Sequence, residues 1–217
     1  MSIPSLLAAV SLVALLPTGP SADASRSIPG SPIAASVPTA DRPAAPSTWE
    51  IDATHSELSF RVRHLVSRVR GSFQVWKGTI VADADNWAGG TIDVTIDASS
   101  ITTNNERRDT HLRSPDFFDV AAHPTLRFVS TRIERSGETA RIHGNLTMRG
   151  VTKPVVLEGE LMGIAPAAGG KRRVGFEAST TINRMDYGVA WNRGAEGGGV
   201  VLGDEVQVTM VIAAVEK

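Results

Sequence analysis

The sequence predicts an all-β fold, a closed antiparallel β-barrel of about eight strands with one or two short helices. From Thr48 onward, apolar and polar residues alternate in segment after segment, short turn-like stretches separate these segments, and only one stretch departs from the pattern. Successive side chains of a strand point to opposite faces, so each segment has one apolar face. A sheet of such segments must fold over itself or close to cover that face, and closure leaves no edge strand exposed.

The alternation predicts eight strands. In the first, residues 57–65, Leu58, Phe60 and Val62 share the apolar face, and His64 takes the next position on it. The other predicted strands are residues 72–82, 91–98, 125–134, 140–148, 155–161, 174–182 and 205–215. Residues 148–154 are expected to form a hairpin turn in which Gly150 adopts a positive φ. Residues 165–171 are expected to form another turn.

Residues 103–120 are polar and lack the period of two. Asn104 can cap a short helix that runs to about Leu112. The triplet Ser114-Pro115-Asp116 supplies a capping residue, a first-turn proline and an acid favoured by the helix dipole, so it predicts the start of a second helix.

The N-terminal residues suggest export. Leu6–Leu16 is an apolar run shorter than the about 20 residues of a membrane span, and Ala22-Asp23-Ala24 fits a signal-peptide cleavage site. We therefore predict a signal peptide over residues 1–24 and a periplasmic or secreted protein without a stable membrane anchor. No Lys or Arg precedes the apolar run, so a disordered or buried N-terminal segment stays open as an alternative.

Residues 25–47 contain five prolines and no regular period, which predicts a Pro/Ala/Ser-rich flexible linker. The folded domain is then expected to span residues 48–217. Loss of residues 1–24 removes one acidic residue, Asp23, from the 23 in the chain, which leaves 22 acidic and 22 basic residues. This balance indicates neither a nucleic-acid partner nor a membrane-surface patch. The absence of cysteine excludes a disulfide scaffold and a cysteine enzyme.

A barrel of about eight strands is either filled by its own side chains or holds one small ligand. Gly144 and Gly159 are predicted to face inward, and glycine there either leaves space or permits close backbone approach. An apolar channel and an ordinary packed core therefore both stay open at this point. The residues predicted to line the interior are Phe60, Val62, Phe73, Val75, Phe128, Leu146, Met148, Leu157, Phe176, Ile182 and Met210.

The polar candidates do not form a known catalytic motif. The sequence contains neither H-E-x-x-H nor G-x-S-x-G. Asp109 and His111 are two residues apart, a spacing that does not direct both toward one metal ion on a helix. Pairs such as Arg107 with Asp109 are more typical of hydrogen bonds that support a loop. Three roles stay open for His64. It is a core histidine whose ring is hydrogen-bonded to a backbone carbonyl, a polar anchor at the rim of the barrel, or a catalytic group.

Five segments together resemble the YceI-like family. They are residues 49–73 (WEIDATHSELSFRVRHLVSRVRGSF), 102–130 (TTNNERRDTHLRSPDFFDVAAHPTLRFVS), 144–161 (GNLTMRGVTKPVVLEGEL), 176–189 (FEASTTINRMDYGV) and 202–214 (LGDEVQVTMVIAA). The resemblance implies a lipocalin-like barrel that is exported to the bacterial periplasm and encloses a long polyisoprenoid or similar lipid.

With this resemblance, we expect a binding protein without catalytic residues, cofactor or metal, whose partner is a small lipid ligand. A carrier, storage or sensing role and the oligomeric state stay open. Two alternatives are a hydrolase or isomerase that acts on a lipid-like substrate through His111 and Asp109, and a structural or stress protein with a filled barrel. The residues predicted to surround the lipid head group at the mouth are His64, Arg107, Asp109, His111 and Arg184.

Overall fold

The computed structural model describes residues 46–83, 87–194 and 198–217. The predicted signal peptide, and the predicted linker up to residue 45, lie outside the described residues. Within the described part of the chain, no helix has the length and apolar character needed to cross a membrane.

The described residues form eleven strands and one α-helix. The strands are β1 (Ser47–Ile51), β2 (Glu57–His64), β3 (Ser67–Phe73), β4 (Trp76–Ala82), β5 (Thr91–Asp97), β6 (Ile101–Thr102), β7 (Thr125–Ser136), β8 (Thr139–Met148), β9 (Val151–Pro166), β10 (Arg172–Asn183) and β11 (Leu202–Glu216), and the helix is α1 (Glu106–Arg113).

Eight strands close into an antiparallel barrel in the order β1-β4-β5-β7-β8-β9-β10-β11, with β11 returning to β1. The long strand β11 makes this closure because its two halves have different neighbours. Its C-terminal half pairs with β1, where Ala214 lies opposite Ile51, and its N-terminal half pairs with β2, where Val206 lies opposite Val62. Strands β3 and β6 extend the sheet beyond β2. The predicted all-β closed barrel is confirmed.

One predicted strand is in fact the end of one strand and the whole of another. Residues 72–82 include the end of β3 and all of β4, joined by a turn at Gln74 and Val75. The turn shifts the alternation by one residue, so that Phe73 and Trp76 are both buried. The predicted inward position of Val75 is therefore wrong: its side chain is 59% exposed, and its carbonyl accepts a hydrogen bond from the backbone N–H of Asp97.

Only the first of the two predicted helices forms as an α-helix. Asn105, rather than Asn104, caps α1, and its side chain accepts a hydrogen bond of 3.0 Å from the backbone N–H of Arg108. Ser114 does not begin a second helix. Its hydroxyl donates to the carbonyl of His111 at 2.7 Å, so it ends α1 instead, and turns follow. Both predicted turns form but are shorter than predicted: Gly150, at φ +75°, lies between β8 and β9, which begins at Val151, and residues 167–171 join β9 to β10.

An ion pair at the end of β11 fastens two neighbouring strands. The Glu216 carboxylate accepts two hydrogen bonds from Arg172 of β10, at 2.8 and 2.7 Å, and the Arg172 guanidinium also lies over the buried ring of Trp49 in β1. The hydrogen bond from Arg172, together with one from Ser47, lowers the pKa of Glu216 from 4.5 to about 2.

We predict that Glu216→Gln lowers the melting temperature at neutral pH. A carboxylate whose pKa is lower in the folded state stabilises the fold above its unfolded pKa and loses that effect as pH falls through the folded value. The difference in melting temperature should therefore be constant above about pH 5 and shrink between pH 4.5 and about 2. Glu50→Gln, at an exposed pair with Lys217, is the control and should change little. A difference for Glu216→Gln that does not depend on pH would contradict the assignment.

Candidate functional site

The barrel interior contains two cavities that follow each other along the strands. The larger has a volume of about 630 Å³ and the smaller about 150 Å³. On β11, Leu202, Val206 and Val208 line the larger cavity, and Val208, Met210 and Ile212 line the smaller one. Four apolar residues contribute to both walls: Leu58, Ile96, Leu146 and Val208. The interior is therefore not filled completely by its own side chains.

The larger cavity is bounded by the inward positions of β2, which the alternation in the sequence identifies. Of the residues predicted to line the interior, the larger cavity has Phe60, Val62, Phe73, Leu146, Met148 and Ile182 in its wall. The smaller cavity has Phe128, Leu146, Leu157, Phe176 and Met210. Val75 is in neither wall. A ligand-contacting role for any of these residues stays a prediction.

Two inward glycines make room for neighbouring aromatic rings, whereas Gly159 lies in the wall of the smaller cavity. A Cβ atom at Gly144 would lie 2.4 Å from the ring of Phe128, and one at Gly71 would lie 2.4 Å from the ring of Phe60. At Gly159 the nearest atom, the Glu177 carbonyl oxygen, would be at 3.3 Å. Of the two explanations for Gly144, close approach is the one observed, because the Phe128 ring occupies the space that a side chain would need.

The polar end of the larger cavity includes His64. It is the last residue of β2, it is half-buried, and it lines the cavity opposite Leu202 of β11. Its ring forms no hydrogen bond to another described residue, so His64 is not a core histidine whose ring nitrogens are hydrogen-bonded within the protein. It ends the apolar row because the strand ends there, at the rim of the cavity.

His111 lies at the same end of the cavity. Its ring forms a hydrogen bond of 2.8 Å to Asp116 and packs edge-to-face on Phe117 and Trp191, with centroids 4.9 and 5.0 Å away. All three rings line the larger cavity, and the His111 side chain is 40% exposed. The cavity therefore meets solvent here. The exposed Arg107 also contributes to this part of the wall.

Asp109 does not lie at the mouth, which corrects the prediction. It is 3% exposed and accepts hydrogen bonds from the backbone N–H of Thr103 at 2.8 Å and from the hydroxyls of Thr102 and Thr103. Burial favours the neutral acid, but these hydrogen bonds outweigh burial and lower the pKa of Asp109. Asp109 thus ties α1 to the chain after β6. Among the described residues no hydrogen bond or ion pair joins it to His111, whose ring bonds to Asp116 instead, so the hydrogen-bonded pair that the hydrolase alternative requires is not seen.

Arg184 lines the cavity, but most of the hydrogen bonds of its guanidinium go to backbone carbonyls. It is 3% exposed and donates to the carbonyls of Gly203 at 2.9 Å, Trp191 at 2.9 Å and Val189. Its ion pair is with Asp204, at 3.3 Å, and not with Asp186. Burial lowers the pKa of Arg184 and Asp204 partly opposes this effect. Arg184 therefore holds together the segments that carry Trp191 and Gly203.

Sequence reasoning missed part of the wall. Phe117 and Trp191 lie in irregular segments where no period of two points inward. Val69 belongs to β3, which was not recognised as a strand, although Val69, Gly71 and Phe73 alternate with Arg68 and Arg70. No cluster of three or more potential metal-ligating side chains occurs among the described residues.

Fold and site together define a small antiparallel barrel with an apolar interior cavity that opens at a polar end. The model of the YceI-like domain matches residues 49–214. The chain therefore belongs to the YceI-like family, as its five segments predict.

Similar proteins support this membership. Protein YceI of Salmonella arizonae is 39% identical over 154 residues, which is 70% of this chain and 81% of that protein. The crystal structure of the Campylobacter jejuni YceI protein has 30% identity and a TM-score of 0.63, over 71% of this chain and 90% of that one. A polyisoprenoid binding domain from Saccharophagus degradans shares the fold at 16% identity, with a TM-score of 0.58, over 78% of this chain and 98% of that one.

Proposed function

We propose that this protein binds a long isoprenoid or related lipid in its barrel and serves as a carrier, store or sensor of that lipid in the periplasm. The apolar tail occupies the larger cavity, and the head group lies near His64, Arg107, His111 and Arg184. The observation that supports this proposal most directly is the volume of the larger cavity, about 630 Å³, within a wall made mainly of apolar side chains.

Physical chemistry favours an apolar chain as the occupant. Small-molecule sites span about 300–1,000 Å³ and are mostly apolar, with few polar groups. An isoprenoid tail forms no hydrogen bonds, and its burial contributes roughly 0.8 kcal/mol per CH₂ group before other terms are counted. Three polar groups of this cavity, His64, Arg107 and His111, lie at the end that meets solvent, where a head group can contact them without losing its hydration entirely.

Family membership supports the same proposal. A protein with the same fold is described as a polyisoprenoid binding domain. The filled-barrel alternative requires side chains that meet across the centre, whereas two cavities are present there. The enzymatic alternative requires His111 and Asp109 to act together, and Asp109 instead bonds to Thr102 and Thr103. We therefore favour binding over catalysis.

Titration with a long-chain polyprenol tests the proposal. Trp191 lines the larger cavity, so its fluorescence should shift as the tail enters. We expect saturation at one polyprenol per chain. Trp191→Phe should remove most of the fluorescence change but preserve binding measured by co-purification of the polyprenol. A linear, non-saturating change, or the same change in the Trp191→Phe variant, would contradict binding in this cavity.

A further inference from the structure

The hairpin of β2 and β3 has four arginines on its outer face. The inward positions of β2 line the larger cavity, so the alternate residues Arg61 and Arg63 point outward. On β3, Val69 lines the cavity, and Arg68 and Arg70 point outward in the same way. The register places Arg61 directly opposite Arg70 and Arg63 directly opposite Arg68. The hairpin thus has two consecutive pairs of like charges across its strands.

The described carboxylates form no ion pair with these arginines. The acids on neighbouring strands, Glu57 and Glu205, are among these carboxylates. Arg61 donates to the neutral side chain of Gln207 at 2.7 Å. Like charges directly opposite each other in a sheet are destabilising. The arrangement is therefore unfavourable in the isolated molecule and becomes favourable beside a negatively charged surface.

The tip of the same hairpin is apolar and exposed. Its two turn residues are Leu65, which is exposed, and Val66, which is fully exposed. Leu65 has a φ of +52°, in a turn position where Gly or Asn is usual. Leu65 is also tied to the rest of the barrel, because its backbone N–H donates to the carbonyl of Val201 at 2.8 Å. The apolar side chains of Leu65 and Val66 are therefore exposed at a hairpin tip that a hydrogen bond holds against the barrel.

The tip adjoins the opening of the larger cavity. His64 lines the cavity and directly precedes Leu65. Met185 and Val200, two more exposed apolar residues, lie on the segments after β10 and before β11, at the same end of the barrel. Whatever surface the hairpin contacts will therefore face the cavity mouth.

We propose that the β2–β3 hairpin docks reversibly on a bilayer that contains anionic phospholipids. Leu65 and Val66 enter the boundary of the hydrocarbon layer, and the arginines contact lipid phosphates. Strand residues rise about 3.3 Å each, so the two arginine pairs lie about 7 Å apart along the hairpin. The polar layer of one leaflet is about 5–7 Å deep, which lets both pairs contact head groups while the tip reaches the hydrocarbon.

A bilayer fits these features better than a nucleic acid does. A nucleic acid offers phosphates to the arginines, but it offers nothing to an aliphatic, non-aromatic tip. Apolar side chains combined with basic ones are typical of surfaces that lie in a membrane interface. The near-zero net charge of the whole chain conceals this local concentration, because the hairpin brings together arginines that are up to nine positions apart in sequence.

Vesicle flotation with the full chain tests the docking. We compare vesicles of phosphatidylcholine with vesicles that also contain phosphatidylglycerol, at low and at high salt. The original protein should bind the anionic vesicles at low salt and be released at high salt. Each arginine close to an anionic surface strengthens binding to that surface. The double substitution Arg63→Gln/Arg68→Gln should therefore lower the partition coefficient at least about tenfold. Val66→Ser should lower it severalfold.

The matched control is Arg132→Gln/Arg141→Gln, which removes two exposed arginines from β7 and β8 with the same change in net charge. It should bind like the original protein. All samples are prepared with the same N-terminus, so any contribution of the N-terminal apolar run is equal in all of them. Equal binding by the original and the Arg63/Arg68 variant, an equal loss in the control, or displacement by duplex DNA would overturn the proposal. Docking is measured without a cavity ligand, so its failure leaves the proposed lipid binding standing.

Discussion

Phe60→Asp should abolish the binding of apolar chains by the barrel. Phe60 lines the larger cavity in the middle of the apolar row of β2, and its ring packs against Phe73 at 5.9 Å. The substitution removes apolar wall and places a carboxylate where a lipid tail would have to desolvate it. We expect the affinity for a long-chain polyprenol to fall at least about a hundredfold, which corresponds to about 2.7 kcal/mol.

Two further variants separate loss of binding from loss of folding. Phe60→Leu keeps the wall apolar and should retain binding within several-fold. Val62→Thr keeps the β-branched shape on the next inward position but adds a hydroxyl, so it should weaken binding with a small change in melting temperature. If Phe60→Asp folds and binds polyprenol as the original does, or if Val62→Thr has no effect on affinity, the wall assigned to the ligand is wrong.

Of the substitutions considered for this protein, Arg184→Gln should lower the free energy of unfolding the most. Glutamine cannot reach the carbonyls of Val189, Trp191 and Gly203 together, so buried acceptors lose their donors. Each buried acceptor that is left without its donor typically costs about 1–3 kcal/mol, so the loss of all three should cost about 3 kcal/mol or more. We expect a loss of that size in the free energy of unfolding, measured by chemical denaturation.

Asp204→Asn is the control for Arg184→Gln. The Asp204 side chain is 52% exposed, and its ion pair with Arg184 is long, at 3.3 Å. Its loss should change the free energy of unfolding by less than about 1 kcal/mol. If the two variants are equally destabilised, the ion pair matters more than the backbone hydrogen bonds. A loss below about 1 kcal/mol for Arg184→Gln would contradict its structural role.

The barrel could be predicted because alternation is a local property of the chain. Leu58, Phe60 and Val62 are two residues apart, and any strand conformation places them on one face. Val75 shows where this reasoning fails. One turn between β3 and β4 changes which face the following residues occupy, and residues 72–77 contain neither glycine nor proline to indicate it.

The candidate site was predictable only where strands form it. Asp109 and Arg184 were both expected at the mouth; Asp109 does not line the cavity, and Arg184 lines it with its guanidinium bonded to buried carbonyls. The sequence does not indicate which charged groups find such buried partners. Asp109 bonds to residues that precede its helix, and Arg184 bonds to carbonyls up to 19 positions away along the chain. Trp191 reaches the cavity from a segment without regular structure. These placements depend on tertiary contacts that no short sequence pattern encodes.

Native mass spectrometry of the protein, purified from its own host without detergent, tests most directly whether the hollow barrel holds a lipid. We predict an additional mass, released by organic solvent and identified as an isoprenoid or related lipid, at one per chain. The Phe60→Asp variant prepared in parallel should lack it. A mass equal to the polypeptide alone, both as purified and after exposure to a long-chain polyprenol, would contradict lipid binding in these cavities.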